Sequence, residues 1–560
     1  MLGAFLLTGR GERMSPSGSP RAPLLWILLP FMAGLVVAGN FPDAAVAGPW
    51  HWGLATTGLG VGMAAARREH GWTVHASGAA VVVLSGIAGL LWLPLRAPAG
   101  AGWPHPPREV SVVLAVEQLF PPTPQRKTFS GLAHVVAGEN AGRELIGQRV
   151  YFSAIRRVSV SPEISGHYRY VGLVEELPRP TAAQGFERYL DGLGVRVRLQ
   201  RGQVREQVRP ATWFRQFCAR AQNRLERILR LGLENQPVPA SVYAAMLLGE
   251  KALLEEEQEA AFMRSGVFHI FSISGLHVGV IALAILSGLV LVRVPPRLAR
   301  VIGLGVLGLY VQVTGGSTPA ERAFLMIAFV VAARVFRLPG NPLAALAGAA
   351  LVTLLFDPRQ LFSTGFQMSY SVVTALLVLG VPLSDRWTAA WRPWRDLPEA
   401  GWGRVRLTVR WVGRAVIAAV AITWAATLAS TPSSIGNFGL FSPGALLANL
   451  VIVPLASLAI IAGFVALLAG LAGLSGIALV MNHAAAVVIL VMDWLVRRGT
   501  EMPGMYFAAE FRAPWMGAAA LVVVLGSMFL AANPRLGRNA PYWLPLAALA
   551  ATMILSVKFP

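Results

Sequence analysis

Apolar and polar positions alternate on two different scales along this chain. Over most of its length, apolar runs of ~18 residues recur between short polar breaks, as in helices that cross a bilayer. Three such runs come first, near residues 23–40, 50–66 and 76–95. A second group follows near 268–292, 299–315, 320–335, 341–356, 365–383, 411–430, 443–473, 475–495, 515–532 and 543–557, with 443–473 long enough for two spans. Between the groups the period shortens to two. Glu109–Gln118, Lys127–Ala137, Arg149–Ile155, His167–Leu177 and Gly194–Gln200 alternate apolar and polar residues between Pro and Gly clusters. Five short strands predict a small closed barrel, and an OB-fold is the natural candidate. The expected fold is a polytopic α-helical membrane protein with one small extracytoplasmic OB-like β-barrel inserted after three N-terminal spans.

After the barrel, Thr212–Leu233 places Trp213, Phe217, Leu225, Ile228 and Leu229 at helical spacing, with Arg215, Arg220, Arg224, Arg227 and Arg230 on other faces. That pattern suits a helix lying on the membrane surface, with a nucleic-acid stripe as the second choice. The expected division is an anchor at 1–99, an OB-like domain at 100–204, interfacial helices at 205–265 and a multi-helix channel domain at 266–560. Arginines set the threading under the positive-inside rule. Arg67 and Arg68, the basic N-terminus, Arg293, Arg297, Arg300, Arg334, Arg337, the loop from Arg386 to Arg414, and Arg497 with Arg498 all fit one scheme, which puts 100–235 outside. Arg535 and Arg538 do not fit it, which leaves the side of the C-terminus open.

Composition sharpens the class. Of 560 residues 55% are hydrophobic and 14% charged, and mean hydropathy is +0.57. The net charge of +20 has two sources to weigh, arginine-rich inner loops and a polyanionic partner. Cys218 is the only cysteine, which excludes an intrachain disulfide and a cysteine metal site. The first apolar run lacks a small-residue cleavage site and reads as a retained anchor.

Polar residues inside apolar runs are the candidate chemistry, because they are costly at membrane depth unless they face a partner or a cavity. Gly266–Gly279 carries His269, Ser272, Ser274 and His277, and Gly275 with Gly279 makes a small-xxx-small step. On one continuous helix the two histidines stand ~80° apart, and no carboxylate lies beside them, so no metal site is expected. Arg322 opens another span and either snorkels or faces a pore. Gln367, Ser369 and Ser371 follow Asp357-Pro358. Asn437 lies in Thr431–Gly439, whose Pro and Gly content predicts a broken or re-entrant helix, and Asn449 precedes Pro454. Each cluster alone is ordinary helix-to-helix glue; together they compose a polar lining. On the barrel, Arg196 and Arg198 share one strand face, and Tyr168 and Tyr170 another, as single-stranded nucleic acid binding would use. The alternative is a solvated face over core tyrosines.

The run Phe268–Gly279 resembles the signature of the ComEC family, inner-membrane DNA-uptake channels of natural competence. Leu247-Leu248-Gly249-Glu250, Arg322-Ala323, Asp357-Pro358 with Gly365–Ser369 (Met368 for the usual Leu), Asn449 with Pro454, and Gly185–Leu190 before Gly194-Val195 resemble further family elements in the family's order. The resemblance implies a channel passing single-stranded DNA across the bacterial cytoplasmic membrane. Its lining would be His269, Ser272, Ser274, Gly275, His277, Arg322, Gln367, Ser369, Asn437 and Asn449. The expected partners are a DNA receptor outside and a helicase or translocase inside; a homo-oligomer is one option, and the pore runs either through one chain or through a dimer interface. Longer relatives carry a metallo-β-lactamase-like domain, whose His-x-His-x-Asp-His cluster is missing from the nine histidines here. No enzymatic activity is therefore expected in this chain: either a separate nuclease supplies that step or the role has drifted from DNA uptake. No Walker-type segment occurs and no cofactor is expected. Two rivals remain: a transporter of a small or lipid-linked solute, and an intramembrane serine hydrolase using Ser274 with His277 or, across helices, His483.

Overall fold

A computed structural model describes residues 24–40, 72–96, 102–120, 128–155, 162–177, 185–249, 254, 256–271, 273–338, 341–394, 402–532 and 541–559. The expected span at 50–66, with Arg67 and Arg68, lies outside the described residues, as do Ser272, Arg535 and Arg538.

Two anchor helices come first, α1 (Leu25–Asn40) and α2 (Trp72–Arg96). They touch backbone to backbone. A Cβ on Gly34 would lie 2.0 Å from the Gly86 carbonyl, and one on Gly89 2.1 Å from that of Phe31. Pro30 faces Gly86 while Phe31 faces Gly89, so the two helices run in the same direction.

The barrel follows. β1 (Arg108–Phe120), β2 (Thr128–Glu139), β3 (Arg149–Ile155), β4 (His167–Glu176) and β5 (Val197–Arg209) close in the order β1-β2-β3-β5-β4, with β3 and β5 parallel. Alternation dictates this, because every second residue must enter one small core. Val110, Val112 and Leu114 of β1 point inward with Phe152, Tyr168, Tyr170 and Leu199, all at most 3% exposed. A short helix, α3 (Gly185–Gly192), crosses outside between β4 and β5.

Next are α4 (Trp213–Arg230), α5 (Pro237–Leu248) and α6 (Glu256–Arg264). The bundle proper has α7 (Gly275–Leu291), α8 (Pro296–Val313), α9 (Thr318–Val335), α10 (Pro342–Phe356), α11 (Thr364–Ala390), α12 (Arg404–Phe438), α13 (Ala445–Leu471), α14 (Ser475–Thr500), α15 (Met516–Ala531) and α16 (Leu544–Ser556). Among the described residues five helices, α8 and α11–α14, are long and apolar enough to cross a membrane, and seven shorter apolar ones accompany them. This is a multi-pass helical membrane protein.

Small contacts fix which ends lie together. Residues Leu440–Phe441 (β6) pair with Phe507–Ala508 (β7), and Glu510–Phe511 (β8) with Val557–Lys558 (β9). The ends of α12, α14 and α16 therefore share one side. Thr364 bonds Asn437 on that side, and Ser442 donates to the Arg264 carbonyl there. The barrel sits there too: the Arg359 guanidinium presses on Gly194, where a Cβ would lie 1.9 Å from Nη1. We call this the barrel side. Arg293, Arg297, Arg300, Arg334, Arg337 and the Arg386–Arg414 stretch fall at the opposite helix ends.

Four expectations change. The run 268–292 is not one helix: a 3₁₀ turn, Phe268–Phe271, precedes α7, which starts at Gly275, so His269 and His277 are not on a common helix. Thr431–Gly439 is not broken; α12 runs through Pro432 to Phe438 and stops at Gly439, whose φ of +65° suits the left-handed cap. The run 443–473 is a single helix, which puts Arg497 and Arg498 on the barrel side, against their expected place. Each is neutralised there by a carboxylate, Asp493 at 2.9 Å and Glu501 at 2.9 Å. Finally, α4 does not lie flat. Its apolar face packs along the bundle, with Cys218 4% and Leu229 1% exposed, and Ile228 reaches Gly470 near the far end of α13.

Candidate functional site

The organising stretch forms a hairpin-like entry to α7. Gly266 ends α6 at a φ of +73°, and a Cβ there would fall 2.6 Å from the Ala445 Cβ. Only glycine meets both demands without strain. The chain then makes its 3₁₀ turn and reaches Ser274, the cap of α7. Ser274 N–H donates to His277 Nδ1 at 3.2 Å, and Ser274 Oγ lies 2.8 Å from the same atom. Because Nδ1 accepts from a backbone N–H, the ring proton is assigned to Nε2. His277 is 0% exposed, and that Nε2 has no partner among the described residues. His269 is exposed, half-buried Ser274 caps, and Gly275 faces Ala323 of α9 at 4.0 Å from its would-be Cβ.

Arg322, one turn into α9, is 2% exposed. Its Nη2 donates to the Gly365 carbonyl at 2.8 Å, and its Nε is buried without a partner among the described residues. Among the described residues no carboxylate lies within ion-pair distance of it. A cation held this way carries a desolvation cost that one carbonyl contact and the neighbouring Glu321 offset only in part. Gly365 allows the approach, since a Cβ there would come within 3.1 Å of Nη2.

Behind Gly365 the polar motifs knit the loop together. Asp357 accepts from the Arg359 backbone N–H and from Gln360 Nε2, both at 3.1 Å. Gln367 Nε2 donates to the Leu361 carbonyl at 3.1 Å. Thr364 Oγ1 donates to Asn437 Oδ1 at 2.7 Å, while Asn437 Nδ2 and Asn449 Nδ2 each return to their own helix at 2.8 Å. Asn449 Oδ1 is buried and unpaired among the described residues. Ser369 is half-buried on α11. Tyr310 donates to the Leu247 carbonyl at 2.6 Å, which ties the Leu247–Glu250 element to α8.

The expected barrel site needs correction. Tyr168 and Tyr170 are 1% and 0% exposed, inside the barrel. Tyr168 Oη accepts from the Glu163 N–H at 2.8 Å, and Tyr170 Oη donates to the Ser153 carbonyl at 2.8 Å. Burial raises the Tyr170 hydroxyl pKa above its ordinary value. Neither ring can stack on a base. Arg196 pairs with Asp191 at 3.0 Å, and Arg198 with Glu175 at 2.9 Å and Glu187 at 3.5 Å. Their charges are already answered within the barrel. The exposed aromatic surface lies elsewhere, at Phe186 and Tyr189, stacked at 5.9 Å beside Phe120 and Tyr151. Strand periodicity could not show this patch, because half of it sits on α3.

The hydrolase geometry is not assembled. His483 lies against Gly232 near the start of α14, at the opposite end of the bundle from Ser274. The Ser274–His277 bond is a helix-capping contact within one turn.

Three curated relatives share parts of this sequence. ComE operon protein 3 of Bacillus subtilis is 30% identical over 142 residues, 25% of this chain and 18% of the relative. Competence protein ComA of Neisseria gonorrhoeae is 36% identical over 142 residues, 24% of this chain and 20% of the relative. Recombination protein 2 of Haemophilus influenzae is 26% identical over 225 residues, covering 38% and 26%. The matched region spans about a quarter or less of each of these relatives' length. No solved structure matches. A family model described as "Competence protein" matches residues 246–534, which contain α7, Arg322, Gly365 and both asparagines. With slightly more than half of its length matched, this chain belongs to the competence protein family.

Proposed function

We propose that the protein conducts single-stranded DNA across the bacterial cytoplasmic membrane during natural transformation. One observation carries most of the weight. Within the family-matched region, buried donors without partners among the described residues, His277 Nε2 and Arg322 Nε, gather on helices that begin at the barrel side. Buried polar groups are normally satisfied, and an orphan donor calls for an account. Donors that a moving anionic or amide-bearing strand satisfies in passing give binding at several weak sites, as conduction requires. Gln367, Ser369, Asn437 and Asn449 extend that lining in this proposal, with His269, Ser274 and Gly275 at its mouth. The five-stranded barrel is OB-like and extracytoplasmic in this account, because the arginine-rich helix ends lie opposite it and mark the inside.

A strand receptor outside, a translocase inside and a separate nuclease complete the proposed machinery. The solute-transporter alternative places no demand on nucleic acid affinity. Anisotropy of a labelled oligonucleotide with the detergent-purified chain separates the two. The DNA proposal expects binding that weakens steeply between about 50 and 200 mM salt. Absence of binding at the lower salt would favour the transporter.

A further inference from the structure

The basic helix α4 has a place in the fold that its sequence alone does not reveal. It begins at the barrel side, where Arg215 and the Glu321 carboxylate at the start of α9 are electrostatic neighbours. It ends at the opposite side, where Ile228 meets Gly470 and the Ile228 and Leu231 carbonyls accept from Asn482 Nδ2 at 2.7 and 3.0 Å. Its 18 residues rise roughly 27 Å, close to the thickness of a bilayer core. The apolar face of α4 is consumed by the bundle, and its other face is open.

That open face is cationic. Arg220, Arg224 and Arg227 are exposed and fall within an arc of about 60°, with rises of about 6 and 4.5 Å between them. Arg220 Nε and Arg227 Nε reach only carbonyls of their own helix, at 3.3 and 3.4 Å. Among the described residues no carboxylate pairs with any of the three; the one ion pair on α4 is Arg230 with Glu226. Trp213, 76% exposed, and Phe217, 41% exposed, continue the same face toward the barrel.

A row of unpaired guanidiniums along a helix that traverses the bundle cannot rest against hydrocarbon without large cost. We propose that the outer face of α4 lines a water-filled groove. In it, Arg220, Arg224 and Arg227 contact successive phosphates of a single strand, and Trp213 and Phe217 stack bases at its entrance. Charge complementarity selects this occupant: the face offers cations and aromatic rings and no compensating acid, which is the composition of a single-strand track. The inference rests on the DNA-conduction proposal for its substrate, though not for the wetness of the face.

Substituted-cysteine labelling tests it on the full chain. In a Cys218→Ala background, single cysteines replace Arg220, Arg224 or Arg227. Membrane vesicles are then treated with a membrane-impermeant charged thiol reagent, with and without a thymidine oligonucleotide. All three positions should label, and the strand should slow labelling by about fivefold or more, while duplex DNA of equal length does not. Failure to label at 220 and 224 would place the face in lipid and overturn the groove. Labelling that the oligonucleotide does not slow would leave a wet face with some other ligand and equally overturn the proposal. As a second arm, the triple Arg→Gln variant should lower transformation by about tenfold while the triple Arg→Lys variant keeps most of it, because phosphate contact is charge-driven. Equal loss in both variants would mark a packing role. A deletion strain that transforms normally would instead strike the function beneath, and the labelling result would stand apart from it.

Discussion

Replacing Arg322 by methionine separates a strut from a conduction element. The wild-type side chain gains one charge-assisted bond to the Gly365 carbonyl at 2.8 Å, worth about 1.5–3 kcal/mol. Against that stands the desolvation of a guanidinium that is 2% exposed, a cost of several kcal/mol for an ion in a real protein interior. Among the described residues no carboxylate forms an ion pair with it, and the charge of neighbouring Glu321 offsets only part of that cost. Methionine fills most of the same volume and strands one carbonyl, at about 1–3 kcal/mol. The two sides nearly cancel, so Arg322→Met should change stability by no more than about 2 kcal/mol in either direction. For a chain of 560 residues that is a shift of a few degrees or less in the unfolding midpoint, readable from the fluorescence of 16 tryptophans in detergent. Transformation, by contrast, should fall by at least about tenfold, the equivalent of ~1.4 kcal/mol added to a transport barrier. Arg322→Lys should recover part of it. If the midpoint drops by more than about 10 °C and transformation falls only in step with folded protein, Arg322 is a strut and the lining assignment fails.

Other expectations follow from the same contacts. Tyr170→Ala empties the barrel core and should cost about 3–5 kcal/mol, seen in membrane vesicles as faster proteolysis confined to residues 102–209; an unchanged digestion pattern would contradict its core role. Gly266→Val meets the Ala445 Cβ at 2.6 Å and forces a β-branched residue to a φ of +73°, so it should destabilise by about 2–4 kcal/mol. Adding Ala445→Gly should recover only the steric part of that loss. His134 Nε2 lies 2.9 Å from Glu117, and that hydrogen bond raises the imidazole pKa above its ordinary value. Its contribution to barrel stability is full below about pH 6.5 and is lost as pH rises through the raised value. Both side chains are partly exposed, so the effect should be at most about 0.5 kcal/mol, and His134→Gln should flatten that slope in the pH dependence of barrel proteolysis.

The barrel was the most legible part, and for a simple reason. Period-two alternation leaves each strand one buried face, so β1 to β4 fell within a residue or two of their expected ends, and β5 was placed but taken as too short. Which tyrosines faced inward could not be read the same way, because Tyr168 and Tyr170 share a face in either case, and only closure of the sheet decides that it is the inside. Apolar helices outside residues 50–66 were equally visible, five of them long enough to cross a membrane. Their internal breaks were not: the apolar run divides between the Phe268–Phe271 turn and the Ser274 cap without a proline, whereas Pro432 sits inside a helix that continues. Hydropathy weighs composition, while the break depends on the cap made by Ser274 and His277. The fate of α4 turned on partners far away in sequence, Gly470 and Asn482, that no local pattern on residues 213–230 could name. Arg322 stands out in the sequence as a charge in an apolar run, but its contact with Gly365 depends on the packing of α9 on α11.

The most direct test of DNA conduction compares two pools of labelled DNA in a strain deleted for this gene. The strain is complemented in turn with wild type, the Arg322→Met variant and a His277→Ala variant expressed at equal level. The account predicts that the deletion strain and both variants bind DNA outside as the wild type does, yet hold about tenfold less DNA in the cytoplasm, protected from added nuclease. Wild-type amounts of cytoplasmic DNA in the deletion strain would contradict the account and favour the solute transporter.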